Sequence, residues 1–249
     1  VALILFIIAL LVRLPFLFID VINWDESTFI LVGQSILDHH LPYINLWDLK
    51  PPLTFLSYAL MIQIFGKSIL GIRLGGVCCI SIVSFLFYKI SEKYYNSSIA
   101  LVLSLSCIFT ISNLPGGQAT LTEVVALVPL SITFYVLLYQ NTAITIPRIF
   151  ASGLFLSIAA LIRLNLAYVS LIIALFILFR SIQQKYNIQR ILSIQIAYLG
   201  AHFLIICLTF LPYGLSGNTE VWWRSVILAP LSYANSKSEG SDRKSTRLN

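Results

Sequence analysis

Residues 97–139 read SSIALVLSLSCIFTISNLPGGQATLTEVVALVPLSITFYVLLY and contain a single charged side chain, Glu123. A membrane-spanning helix needs about 20 mainly apolar residues, with a range of about 17–25, so this stretch reads as two spans, 99–114 and 124–139. The pattern extends in both directions. Further apolar segments fall at 1–19, 69–88, 149–162, 166–179 and 191–211, and between 149 and 179 the only charge is Arg163. One straight helix over 149–179 would exceed the hydrocarbon core at about 1.5 Å per residue, so a break is expected at Arg163-Leu164-Asn165. The expected fold is an all-α integral membrane protein, a polytopic bundle of about seven spans.

The composition agrees. The chain has 249 residues, 58% of them hydrophobic and 10% charged, against roughly 45–50% and about 25% in a soluble domain. Such a chain has too few polar side chains to cover a water-facing surface. The formal charge of +6 comes from 16 basic and 10 acidic residues. The basic residues are scattered between apolar blocks and form no face that could follow phosphates, so nucleic acid is excluded as a partner. Cys78, Cys79, Cys107 and Cys207 lie in apolar runs without ligand spacing and read as small buried hydrophobes.

Lys and Arg mark cytoplasmic loops. Loops 89–96, 140–148 and 180–190 carry Lys89, Lys93, Arg148, Arg180, Lys185 and Arg190 and alternate correctly. The long loop 20–68, the stretch around Glu123, the turn at Arg163 and the part after Pro212 then share the outer face. Within the long loop, 53–65 is expected to lie in the interface rather than span. The sequon Asn96-Ser97-Ser98 faces the cytoplasm on this topology and is discounted.

Two expectations concern the ends. The chain opens with Val1 and enters an apolar run at once, without the features of a signal peptide, so the true start is expected to be missing. Residues 242–249 reverse-translate to GATCGGAAGAGCACACGTCTGAAC, which resembles a sequencing-library adapter. They are expected to be a scar that accounts for +2 of the charge. Residues 1–241 would then be the front part of a longer protein.

Chemistry concentrates in the first outer loop. Asp25 and Glu26 could act as a general base, as a cation site, or as an acidic first turn of a helix. Lys50 precedes Pro51-Pro52, which end any preceding helix and present a cation at a rigid corner; snorkelling or anchoring is the alternative use. Trp24, Tyr43 and Trp47 suit a headgroup-level belt. Glu123 and Arg163 are intramembrane ionisable groups and functional candidates by default, as is His202, which is otherwise expected to be hydrogen-bonded to a neighbour. His39 and His40 are adjacent and cannot share a helix face, so a metal site there lacks a third ligand. Trp222-Trp223-Arg224 reads as an interfacial segment.

The ordered set Arg13-Leu14-Pro15, Asp25-Glu26, Pro42-Tyr43, Asp48-Leu49-Lys50-Pro51-Pro52, Phe65-Gly66-Lys67-Ser68 and Arg73-Leu74 resembles the N-terminal signature of the GT-C glycosyltransferases. Within them it is most similar to the protein O-mannosyltransferase and aminoarabinose-transferase group. The resemblance implies inverting transfer of a sugar from a polyprenyl-phosphate-linked donor to a lipid, glycan or protein acceptor. It implies the outer face of a membrane, here expected to be the cytoplasmic membrane of a prokaryote. It also implies Asp25 as the catalytic acid-base residue with Glu26 as its acidic neighbour, and Lys50 and Arg163 as binders of the carrier phosphate; Arg73 either helps to bind that phosphate or anchors a helix end. Glu123 stands at a second acidic position, with Tyr43 and His39 as candidates for acceptor contact. No cofactor is certain and a divalent metal stays open; membrane lipids are the other expected partners. The competing reading is a polytopic transporter or lipid flippase with Glu123 and Arg163 lining the path and Asp25-Glu26 at a gate. Transporters often show internal repeats, and none is visible here.

Overall fold

The structure is a computed structural model that describes residues 1–139 and 144–233. The suspected scar at 242–249 and residues 140–143 of an expected loop lie outside the described residues. In chain order the helices are α1 (Ala2–Arg13), α2 (Trp24–Leu37), α3 (Pro52–Phe65), α4 (Ile69–Tyr94), α5 (Ser97–Asn113), α6 (Thr122–Leu138), α7 (Ile146–Ile162), α8 (Leu166–Gln183), α9 (Ile188–Leu215) and α10 (Thr219–Trp222). A 3-10 turn, Leu14–Phe16, follows α1, and a π-helical turn, Trp223–Leu228, follows α10. No strand occurs among the described residues.

The protein is therefore an all-α membrane bundle. Three helices, α4, α8 and α9, are long and apolar enough to cross a membrane, while α1, α3, α5, α6 and α7 are apolar but shorter. Every segment expected to span is a helix, and the expected break appears where α7 stops at Ile162 and α8 begins at Leu166. Two boundaries differ from expectation. Helix α4 runs on to Tyr94, so Lys89 and Lys93 sit on its last turns rather than in a loop. Helix α9 continues past Pro212 to Leu215, because proline costs one backbone donor and the helix can resume beyond it.

Local caps set several starts. The side chains of Asn23, Ser68, Asn96 and Asn187 accept from backbone N–H groups of the first turns of α2, α4, α5 and α9, satisfying donors that have no partner within the helix. The sequon asparagine Asn96 is thus an N-cap.

One end of the bundle is basic. There Lys93 Nζ donates to the carbonyls of Leu138 and Tyr139 at 2.8 and 3.0 Å, and Arg190 donates to Ile144 at 3.5 Å. At the other end meet the close of α1, the starts of α4 and α6, the close of α7 and the paired helices α2 and α3. Thr54 Oγ1 donates to the Ile162 carbonyl at the end of α7 (2.7 Å). At the far end of α3, Phe65 packs against Gly71 at the start of α4. Both ends of α3 therefore lie at this one end of the bundle, so it does not cross.

Helix α3 instead packs along α2. Phe29 meets Phe55 and Tyr58 edge-on, with ring centroids 6.2 and 5.3 Å apart. Gly33 permits the approach, since a Cβ there would lie 2.9 Å from Ala59 N and 3.0 Å from Tyr58 Cβ. Gly33→Leu is expected to force the two helices apart and cost about 1–3 kcal/mol, read as a lowered unfolding midpoint in detergent.

Most of the buried apolar side chains of α1 to α6 form one core, and Ile149, Leu156, Ile173, Ile177, Ile194 and Tyr198 form a second one within α7, α8 and α9. The outward faces of α8 and α9 expose Tyr168, Phe203 and Ile196, the side chains a lipid phase would cover.

Candidate active site

Two accessible ion pairs and one buried pair occupy the end of the bundle where α2 and α3 lie. Asp25, in the first turn of α2, faces Lys50 with Oδ2 to Nζ at 3.3 Å; both are partly exposed, at 53% and 35%. Lys50 is held by its surroundings. Its N–H donates to Asp48 Oδ1 (3.0 Å), its carbonyl accepts from the Tyr43 hydroxyl (2.7 Å), and its ammonium lies 5.5 Å from the Phe29 ring centroid. Pro51 and Pro52 then start α3, so the cation stands at a rigid corner, as expected from the two prolines.

Arg163, released just after α7 ends, pairs with Glu123 (Nη1 to Oε1, 2.5 Å) and donates to Thr122 Oγ1 (3.2 Å). This pair is also partly exposed.

Glu26 and Arg73 sit differently. They form an ion pair at 3.1 Å with side-chain exposures of 2% and 0%. Glu26 Oε1 also accepts from the Thr120 N–H at 2.8 Å, while Arg73 donates to the carbonyls of Phe16 (2.6 Å) and Ile19. The sequence reading put Glu26 beside Asp25 and gave Arg73 either the carrier phosphate or the anchoring of a helix end. The structure encloses both, an arrangement that fits the anchoring use of Arg73. The pair locks the first turn of α2 onto α4 and onto the segment that leads into α6.

Tyr43 and His39, the candidates for acceptor contact, lie in different settings. Tyr43 is buried at a left-handed backbone position (φ 69°) and braces Lys50. Its phenol is pushed up by burial, with smaller contributions from Tyr213 and Asp48. Its neighbour Pro42 accepts from Tyr213 of α9 at 3.1 Å. His39 follows the last turn of α2 and is exposed. A helix of 14 residues sets it about 20 Å from Asp25. Among the described residues no group of three or more His, Cys, Asp or Glu could hold a metal ion.

Bonds between sequence neighbours stitch the site together. Glu26, next to Asp25, reaches Thr120; Thr122 and Glu123 reach Arg163; and Thr54, four residues after Lys50, reaches Ile162. At the centre stands Tyr58, whose hydroxyl donates to the Thr120 carbonyl. Its phenol is pushed well up by burial, and the carboxylates of Glu26, Glu123 and Asp25 add to that. All three carboxylates lie within electrostatic reach of one buried hydroxyl.

Sequence reasoning assigned no role to Tyr58, Thr54, Thr120 or Arg13. Of these, only Arg13 carried a signal, as a cation closing an apolar helix. It is fully buried and donates to the carbonyls of Gly117, Gln118 (2.6 Å) and Ala119 (3.4 Å), fixing the loop that carries Thr120.

Beside the site, a groove of about 750 Å³ opens between α2, α3, α7 and α9, lined by apolar side chains such as Leu53, Leu60, Ile158 and Leu208. Pro42, Pro52 and Tyr213 also line it, next to the Lys50 corner.

Residues 49–223 match the family described as dolichyl-phosphate-mannose-protein mannosyltransferase. The chain belongs to that family. Membership makes it an integral membrane glycosyltransferase of the kind that uses polyprenyl-phosphate-linked sugars. The match includes Lys50, Arg73, Glu123 and Arg163 and begins after Asp25, Glu26, His39 and Tyr43. No curated protein and no solved structure matches the chain.

Proposed function

We propose that this mannosyltransferase-family chain moves a monosaccharide from a polyprenyl-phosphate carrier to an acceptor hydroxyl or amine at the outer face of a prokaryotic cytoplasmic membrane, with inversion and with Asp25 as general base. The observation that carries the reading is the pairing of Asp25 with Lys50 at a braced, accessible corner beside an apolar groove.

Asp25 takes the proton of the acceptor as the acceptor heteroatom bonds to the anomeric carbon. The bond from that carbon to the carrier phosphate breaks, and its electron pair leaves on the phosphate. Lys50 and Arg163 receive that charge as positioned donors, while the apolar groove takes the polyprenyl chain. Glu123 holds Arg163 in place until phosphate arrives. Inversion puts base and leaving phosphate on opposite faces of the sugar. Lys50 therefore leaves Asp25 when the donor binds, and its four-carbon stem provides that reach. Glu26 and Arg73 act as positioning residues.

The test follows release of polyprenyl phosphate from a polyprenyl-phosphate-linked mannose by the full chain in bilayers, with membrane extracts supplying the acceptor. Transfer dependent on the chain is expected, and no release above the protein-free background would overturn the reading. Lys50→Gln and Arg163→Gln are each expected to lower turnover about 10²-fold, the scale of losing one preorganised charge-stabilising donor. Unchanged turnover in both would remove the cations from the phosphate step.

A further inference from the structure

At the opposite end of the bundle, the last turns of α4, α6 and α8 and the first turn of α7 converge on a pocket of about 180 Å³. Three cations line it, Lys93, Arg148 and Arg180, and among the described residues no carboxylate does. The rest of the wall is apolar, with Ile149, Phe176 and Ile177 among its side chains. The nearby acid Glu92 is engaged by Lys89 at 2.8 Å.

Two of the cations have a structural use. Lys93 and Arg148 donate to the carbonyls of Val136, Leu137, Leu138 and Tyr139, which close α6; cations are favoured at this negative end of the helix dipole. Carbonyl dipoles orient these cations. Arg180 is half-buried, and its guanidinium makes no hydrogen bond or ion pair among the described residues. It closes α8, whose outward face exposes Phe179 and Ile182. Three positive charges thus gather at a helix junction with an apolar wall and an apolar flank.

We propose that this pocket binds the phosphate headgroup of an anionic membrane lipid in the leaflet opposite the candidate active site, with an acyl chain lying along α8. The shared chemistry is a phosphate between Lys93, Arg148 and Arg180. The apolar wall and the exposed flank of α8 favour a lipid as its source over free phosphate, and basic pockets between membrane helices recognise such headgroups. Bound lipid would tie α8, which buries only Ile173, Ile177 and Ser181, to the ends of α4 and α6.

The test compares thermal unfolding of the full chain in phosphatidylcholine bilayers, in bilayers with added phosphatidylglycerol, and in phosphatidylcholine with inorganic phosphate. Phosphatidylglycerol is expected to raise the midpoint by about 4 °C. Arg180→Gln should keep the midpoint found in neutral lipid and lose more than half of that rise. Arg180→Lys should retain most of it, and Lys185→Gln, an exposed cation beyond the pocket, should retain all of it. Equal midpoints in the two bilayers, a full rise in Arg180→Gln, or an equal rise with inorganic phosphate alone would each overturn the proposal.

Discussion

Asp25→Asn is expected to reduce sugar transfer by about 10²–10⁴-fold while leaving the protein folded and inserted. That range is what a positioned acid-base group contributes, and the amide cannot accept the acceptor's proton. The structural cost is small because the pair with Lys50 is partly exposed, and such pairs are worth about 0–1 kcal/mol. The measurement is turnover by the purified variant in bilayers, beside its thermal midpoint and its yield from membranes. Turnover within a few-fold of the parent would take the base role from Asp25. A collapsed midpoint would show instead that the carboxylate is structural.

Breaking the buried pair should have the opposite signature. Arg73→Ala strands the enclosed carboxylate of Glu26 and removes the donor to Phe16 and Ile19. Losing one member of a buried ion pair costs about 3–5 kcal/mol, a large share of a total stability of about 5–15 kcal/mol. The expected result is a sharply lower midpoint and poor recovery of folded protein. The double variant Glu26→Gln with Arg73→Met should regain much of the midpoint, because neither partner is then an unpaired buried charge. Turnover of the rescued protein separates the two roles. A positioning pair leaves most of the turnover once α2 is held again, whereas direct contact with the carrier phosphate predicts loss of turnover at a restored midpoint.

How much of the site was legible depends on the kind of link each residue makes. Lys50 was readable because two prolines follow it, and they fix the corner through covalent geometry alone. Arg163 and Glu123 stood out because each is a lone charge in a long apolar stretch, and their partnership is the economical way to keep both there. Glu26 was not readable as an enclosed residue. Its partners, Arg73 and the Thr120 N–H, lie 47 and 94 positions away, and no local pattern records such a meeting. His39 shows the reverse case: it shares the polar loop with Asp25 in sequence, but the intervening helix carries it about 20 Å away.

The residues alone determined that the chain is an all-α membrane bundle and where it breaks after Ile162. These follow from hydrophobic length and helix rise, properties of a segment and its immediate neighbours. The tertiary structure alone decided which carboxylate faces outward and which is enclosed, since Asp25 and Glu26 are consecutive and chemically alike. A helix turns about 100° per residue, so adjacent acids must point in different directions. Only the packing of α4 and the Thr120 segment against α2 determined which one stayed accessible.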